Sequence, residues 1–175
     1  MKRQWYEDNE YVDIVADLLD HPEVMELNNF VHHYYSTRLK HSLDVSYRSF
    51  RVAKKLHLDA VAAARAGLLH DMFYYSHDEK KKFKNEGGHS YVHPRIALRN
   101  AERVADLTPK EKDIIVKHMW GATKSLPHYK ESYVVSFTDK YSAIHDVAAP
   151  IYQRAKRRLK APMTQHRSQK VHHVS

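Results

Sequence analysis

The sequence predicts an all-α fold: a single helical bundle followed by a basic C-terminal tail. Three observations carry that reading. Apolar residues recur at three- and four-residue spacing along most of the chain, the period of a helix with one buried face. Only four glycines occur in 175 residues, and none belongs to a phosphate-cradling loop. There is no internal repeat and no coiled-coil heptad run. A chain of this length supports one ordinary domain with a real core. The expected organisation is N-terminal helices over 1–34 packing on a bundle at 35–159, with 160–175 as a disordered tail.

Each element has its own local reason. Tyr11, Ile14, Val15 and Leu18 form the stripe of a first helix over 10–20. His21-Pro22 stops it, because the residue before a proline avoids the α conformation. A second short helix is expected over 22–35. Residues 38–56 read as a longer helix, with Leu43, Tyr47, Phe50 and Leu56 on or near one stripe. Asp59 is a candidate N-cap for a helix over 60–71. The alanines and Gly67 of that helix let a neighbour approach closely, so it is expected at the centre. Residues 76–90, "SHDEKKKFKNEGGHS", read as a polar loop long enough to carry function. Pro94 suits the first position of a helix reaching about Val104, with His93 just before it. "TPKE" at 108–111 is a capping box, with Thr108 capping, Pro109 at N1 and Glu111 at N3. Its helix reaches His118 before "WGATKSLPHY" breaks it. Within 131–145, "YVVSFT" has strand propensity, but Tyr133, Val134, Phe137, Tyr141 and Ile144 make a helical stripe, and helix is predicted. A last helix is expected over 150–159.

Composition excludes several classes of function. With no cysteine there is no disulfide framework and no thiolate chemistry. No apolar run approaches the roughly 20 residues of a membrane span, and "MKRQWYEDNEYVD" has no signal-peptide core. A cytoplasmic protein is expected. The formal charge of +8 is not spread over the chain. Seven basic residues and no acidic one lie from Arg154 onward, leaving about +1 for the rest. Nucleic acid is therefore not expected as a partner except through this tail, which is either a solvated segment or an electrostatic arm for RNA or acidic lipid.

The chemistry centres on "ARAGLLHDMFYY", residues 64–75. A charged Asp71 beside aromatic residues is costly to bury unless something compensates it. His41 lies near the start of the long helix, and His70 and Asp71 end the central one. His93 stands at the start of the next, His118 closes the one after, and Asp139 sits in the last core helix. Convergence of such groups inside a bundle is how helical proteins build metal sites. Imidazole and carboxylate ligands suit divalent Fe, Mn, Zn, Ni or Co. Plainer readings stand beside this one. His41, His70 and Asp71 can be a buried hydrogen-bonded trio. His93 can be a surface residue beside a cap, His118 a partner of a helix dipole, and Asp139 half of a salt bridge. His89, four residues before His93, can replace it or support it from behind. His77-Asp78 reads as a solvated loop pair, His32-His33 as a surface helix face, and His172-His173 as incidental. Arg38, three residues before His41 on one helix face, and Lys140, next to Asp139, are the leading cations near these groups. Arg95, Lys117 and Lys124 follow, and Trp120 or Tyr129 can line the adjoining wall.

"RLKHS" at 38–42, "AGLLHD" at 66–71 and "DK" at 139–140 resemble the HD-domain superfamily of metal-dependent phosphohydrolases. That superfamily is defined by a His, a His-Asp doublet and a later Asp, in this order, on a helical bundle. The resemblance spans roughly residues 35–147. It implies one metal held by His41, His70, Asp71 and Asp139. His93 and His118 match the additional histidines of binuclear members, such as the HD-GYP and symmetrical dinucleoside-tetraphosphate hydrolase groups. It thus implies a second ion with Asp71 bridging. No "GYP" tripeptide occurs, so a cyclic-dinucleotide role is not expected. The implied activity is hydrolysis of a phosphate ester or anhydride, of a small phosphorylated substrate such as a nucleotide, by a metal-activated water. Asp71, Arg38 and Lys140 are its expected catalytic groups. Two divalent ions would acidify a bridging water and neutralise phosphoryl oxygens, leaving the protein little else to supply. Two alternatives remain: a binuclear-iron oxygenase on the same scaffold, and a catalytically weak nucleotide-binding or RNA-associated regulator with the tail as its arm.

Overall fold

The centre of the molecule is a pair of helices, α3 (Arg38–Lys55) and α4 (Ala60–Leu69), that approach unusually closely. Ala62, Ala63, Ala64, Ala66, Leu68 and Leu69 of α4 are all buried. A Cβ on Gly67 would lie 3.0 Å from the Cα of Ser46, so the contact between these backbones leaves no room for a side chain. Ser46 Oγ donates to Ala64 O at 2.6 Å and accepts from the Tyr11 hydroxyl at 2.8 Å. That relay pins α1 (Asn9–Leu19), through its buried Tyr11, Val15 and Leu18, onto the central pair. α5 (His89–Val104), α6 (Pro109–Lys117) and α7 (Lys130–Lys160) complete the bundle. The computed structural model describes residues 4–32, 36–76 and 78–160. None of the helices described is long and apolar enough to cross a membrane.

Local signals set several boundaries as expected. Asp59 Oδ1 accepts from Ala62 N at 2.9 Å, and the Thr108–Glu111 capping box is formed in both directions. α4 ends at Leu69 and α6 at Lys117, with His70 and His118 as their C-caps.

Four expectations are corrected. The helix expected over 22–35 is only α2 (Pro22–Glu26) and a 3-10 turn at Leu27–Asn29. Beyond it, β1 (Val31–His32) pairs antiparallel with β2 (Ser36–Thr37), Val31 opposite Thr37. The helical run ends at Asn29: Phe30 is extended (φ −107°, ψ 123°) with its carbonyl accepting from Arg38 N at 2.8 Å. Asn28 Oδ1 accepts from Thr37 Oγ1 at 3.0 Å, so pairing with residues 36–38 takes over from helix. The loop expected at 76–90 holds a 3-10 segment, Asp78–Glu86. α5 begins at His89, not Pro94, because Gly87 (φ 93°) and Gly88 (φ 84°) turn the chain into the helix five residues early. Finally, α7 runs unbroken through Pro150, and the later part of its apolar stripe faces outward, while Val134 is buried as expected and Tyr133 is half-buried. Phe137 is 59 % exposed, Tyr141 53 % and Ile144 70 %. The packed face carries small residues instead: Ser49 Oγ meets Thr138 Oγ1 at 2.5 Å, and Ser142 Oγ donates to Asp44 at 2.7 Å. On α3, Tyr47 and Phe50 are buried as expected, but Leu56 is exposed.

Candidate metal centre

His70 and Asp71 leave the end of α4 where the chain turns, so both side chains can face the same space. Met72 O accepts from Asn100 Nδ2 at 2.7 Å, and Phe73 N donates to Asp71 O at 2.8 Å, which fixes the turn. Three buried histidines then show one repeated arrangement. His70 Nδ1 lies 2.8 Å from Gly67 O, His93 Nδ1 2.8 Å from His89 O, and His118 Nδ1 2.7 Å from Ile115 O. A carbonyl only accepts, so each Nδ1 carries the proton and each Nε2 is left facing inward.

Those inward nitrogens gather around Asp71. His93 Nε2 and His118 Nε2 are 2.8 Å apart, and lie 3.3 and 3.6 Å from Asp71 Oδ1. On the other side, His70 Nε2 is 3.9 Å from Asp71 Oδ2 and 3.7 Å from Asp139 Oδ1. His41 Nε2 completes the cluster at 3.0 Å from Asp139 Oδ1, while its Nδ1 is 3.5 Å from Asp146 Oδ2. Three overlapping groups could each hold a metal ion: His41, His70 and Asp71; His70, His118 and Asp139; and Asp71, His93 and His118. All six positions singled out in the sequence thus meet in one place.

The donor set fits a divalent cation. His70 Nε2 is fully buried without a hydrogen-bond partner, and two imidazole nitrogens with their protons elsewhere face each other across 2.8 Å. Such atoms need a shared proton or a metal between them. The ionised carboxylates ask for the same thing. Burial opposes ionisation of Asp71, but His70, His93 and His118 outweigh it and hold its pKa well below the usual range. Asp139 is likewise depressed, burial being overcome by His41 and His70. Burial would lower His41, yet Asp139 and Asp146 raise it to about 9. Burial, with repulsion from His93 and His70, pushes His118 down to about 3. Buried anions are balanced either by protons on histidine or by a metal that displaces those protons.

The cluster opens into a cavity of about 830 Å³. Arg38 lines it, buried, with its guanidinium 3.6 Å from the centre of the Phe73 ring. Arg38 Nη1 donates to Phe73 O and Nη2 to Tyr75 O, the latter at 3.2 Å. Lys140 also lines the cavity, its ammonium held by His118 O, Ser136 O and Ser136 Oγ.

Other expectations are not met. Arg95, Lys117 and Lys124 do not line the cavity; Arg95 instead stacks on Tyr91. Trp120 packs edge-on against Tyr133 and Phe137 at ring distances of 4.9 and 5.7 Å, and neither it nor Tyr129 reaches the cavity. His89 does reach it, stacked 4.3 Å from His93 with Nδ1 3.0 Å from the Tyr75 hydroxyl, but it joins none of the ligand clusters. Of the loop pair, Asp78 lines the cavity and His77 lies outside the described residues, as do His33, His172 and His173.

Two contributors escaped the sequence reading. Asp146 stands seven residues after Asp139, two turns along the same face of α7, and that spacing was its only signal. Lys80 comes from the polar stretch and had no signal beyond its charge.

No curated protein matches the chain. A family model described as the HD domain matches residues 38–144, from the first residue of α3 into α7. That span encloses all six clustered positions, though not Asp146, and covers more than half of the chain, and the chain belongs to the HD domain family.

Proposed function

We propose that this protein is a metal-dependent phosphohydrolase that cleaves a phosphate ester or anhydride of a nucleotide. One observation carries the reading: His70, His93 and His118 each spend Nδ1–H on a carbonyl of the preceding turn and aim Nε2 at the Asp71 region. His41, His70, Asp71 and Asp139 would hold one ion, and His93 and His118 a second, with the two oxygens of Asp71 turned to either side. A divalent ion at such a site supplies Lewis-acid stabilisation of phosphoryl oxygens and a water acidified toward neutral pH. The protein's own groups do the rest. Arg38 anchors the 73–75 backbone as one wall, and Lys140 adds positive charge beside Asp139. Phe30, Phe73 and Met119 keep part of the lining apolar, which strengthens electrostatic attraction to a phosphate.

The test is a metal analysis of the purified protein followed by a phosphate-release screen across nucleotides under nitrogen. At least one bound transition metal and turnover without oxygen are expected. His70→Ala and Asp71→Ala should lose the metal and cut turnover by more than the roughly 10–100-fold that removal of a supporting group costs. Circular dichroism verifies that both variants remain folded. His93→Ala and His118→Ala should remove the second ion and leave the first. Full metal content in both His70→Ala and Asp71→Ala would overturn the assignment.

A further inference from the structure

Among the described residues three cations, Arg38, Lys80 and Lys140, line the cavity, and they are not in the same state. Arg38 has both terminal nitrogens committed to the carbonyls of Phe73 and Tyr75. Lys140 distributes its ammonium over His118 O, Ser136 O and Ser136 Oγ, which uses the three donors that a lysine has. Lys80 is different. It is half-buried and lines the same cavity, yet among the described residues no hydrogen bond or ion pair takes its ammonium. On the same 3-10 segment, Lys82 is paired with Glu79 at 2.8 Å. Lys81 and Lys84, which like Lys80 meet no partner among the described residues, are exposed and do not line the cavity. It is the combination of burial in the cavity wall with an unpaired ammonium that belongs to position 80.

The charges around Lys80 define what it can receive. Asp71, Asp78 and Asp139 line the cavity opposite Arg38, Lys80 and Lys140, so its ionised side chains balance. One divalent ion adds two positive charges, about what a single phosphate neutralises, and a second ion would leave room for a further anionic group. Lys80 feels the charges of both Asp71 and Arg38 and is itself shifted down by burial, as expected for an ammonium desolvated beside the cluster. A partly desolvated ammonium with no protein acceptor is stabilised when an anionic oxygen reaches it.

We propose that Lys80 seats a second anionic group of the substrate, so that the site selects phosphoanhydrides or other doubly phosphorylated compounds over simple monophosphates. The proposal rests on the phosphohydrolase reading for the position of the first phosphate. Arg38 and Lys140 hold the walls of the cavity; Lys80 reads the ligand beyond them. It is a specificity-determining residue, and no covalent step depends on it.

Calorimetric titration of the purified, metal-containing protein with inorganic pyrophosphate and with orthophosphate tests this, with metal content assayed before and after. The wild type should bind pyrophosphate at least tenfold more tightly than orthophosphate. Lys80→Gln should reduce that preference to threefold or less, and Lys80→Arg should restore most of it. Lys84→Gln, an exposed position of the same segment that does not line the cavity, should leave it intact. A wild type without the preference, a Lys80→Gln protein that keeps it, or an equal loss in Lys84→Gln would each overturn the proposal. Heat arising from metal extraction would survive Lys80→Gln and counts against it in the same way. A Lys80-dependent preference in a protein that turns over no nucleotide would keep this assignment and sink only the phosphohydrolase reading.

Discussion

Two connections of this molecule begin alike and end differently. Each follows a histidine that caps a helix, His70 after α4 and His118 after α6, and each is polar with glycine, lysine and histidine in it. The first crosses the cavity and contributes Phe73, Ser76, Asp78 and Lys80 to its lining. The second turns away after Met119. The difference lies in what holds each backbone. Asn100 and Arg38 take the carbonyls of Met72, Phe73 and Tyr75, and the Tyr74 hydroxyl donates to Glu23 O at 3.0 Å, so the first connection is stretched from α5 to α2 across the site. In the second, Ala122 N and Thr123 N both return to Met119 O, and Gly121 adopts φ 92°. Asp113 then catches His128 N at 3.0 Å and Ser132 Oγ at 2.6 Å, folding the chain back onto α6 and α7. A loop's composition does not decide whether it serves a site; side chains from elsewhere that bind its backbone do.

The largest expected effect comes from releasing the first connection. Arg38→Lys keeps the charge but cannot bridge two carbonyls. It should cost about 2–3 kcal/mol in chemical denaturation, because charge-assisted bonds to the Phe73 and Tyr75 carbonyls are lost. Nucleotide turnover should fall about tenfold or more as the wall loosens. Unchanged stability and turnover together would show that the connection is held by its aromatic contacts alone.

Releasing the second connection should separate stability from activity. Asp113→Asn weakens the hold on His128 and Ser132 and should cost about 1–2 kcal/mol, with turnover per folded molecule unchanged. Its pH dependence has a defined sign. Burial would raise the Asp113 pKa, but bonds from Ser132 and His128 lower it below 3.8. The contribution is therefore complete above the unfolded value and fades as pH falls through the folded one. Asp113→Asn should remove that part of the acid limb of a stability–pH profile. An acid limb identical to the wild type would mean that Asp113 holds nothing.

The smallest effect is expected at the end of the chain, where neither connection is touched. Truncation after Leu159 removes Lys160, Arg167 and Lys170, three of the seven cations of the basic run. It should leave turnover of a small phosphate ester within about threefold, a barrier change of roughly 0.6 kcal/mol. Lost activity in a folded truncate would show that this end closes over the site. Loss only of salt-sensitive RNA or anionic-lipid binding would make it an electrostatic arm.

What the sequence determined by itself is what depends on near neighbours. The Thr108 box, the Asp59 cap and the helical nature of residues 131–145 follow from contacts within one turn. So does the order of ligands, since His41, His70, Asp71, His93, His118 and Asp139 sit where helices start, end or bury a face. Even the inward aim of His70 and His118 is local, because the carbonyl that takes each Nδ1 lies three residues back. Tertiary structure decided the rest. The outward turn of Phe137, Tyr141 and Ile144 reflects a closer fit of serines and threonine against α3, which no hydropathy pattern along α7 alone records. Asp146 reaches His41 across 105 residues of chain, and Lys80 reaches the cavity only because Arg38 and Asn100 bind the backbone before it. Such contacts depend on how close two elements come, a quantity set by the volumes packed between them.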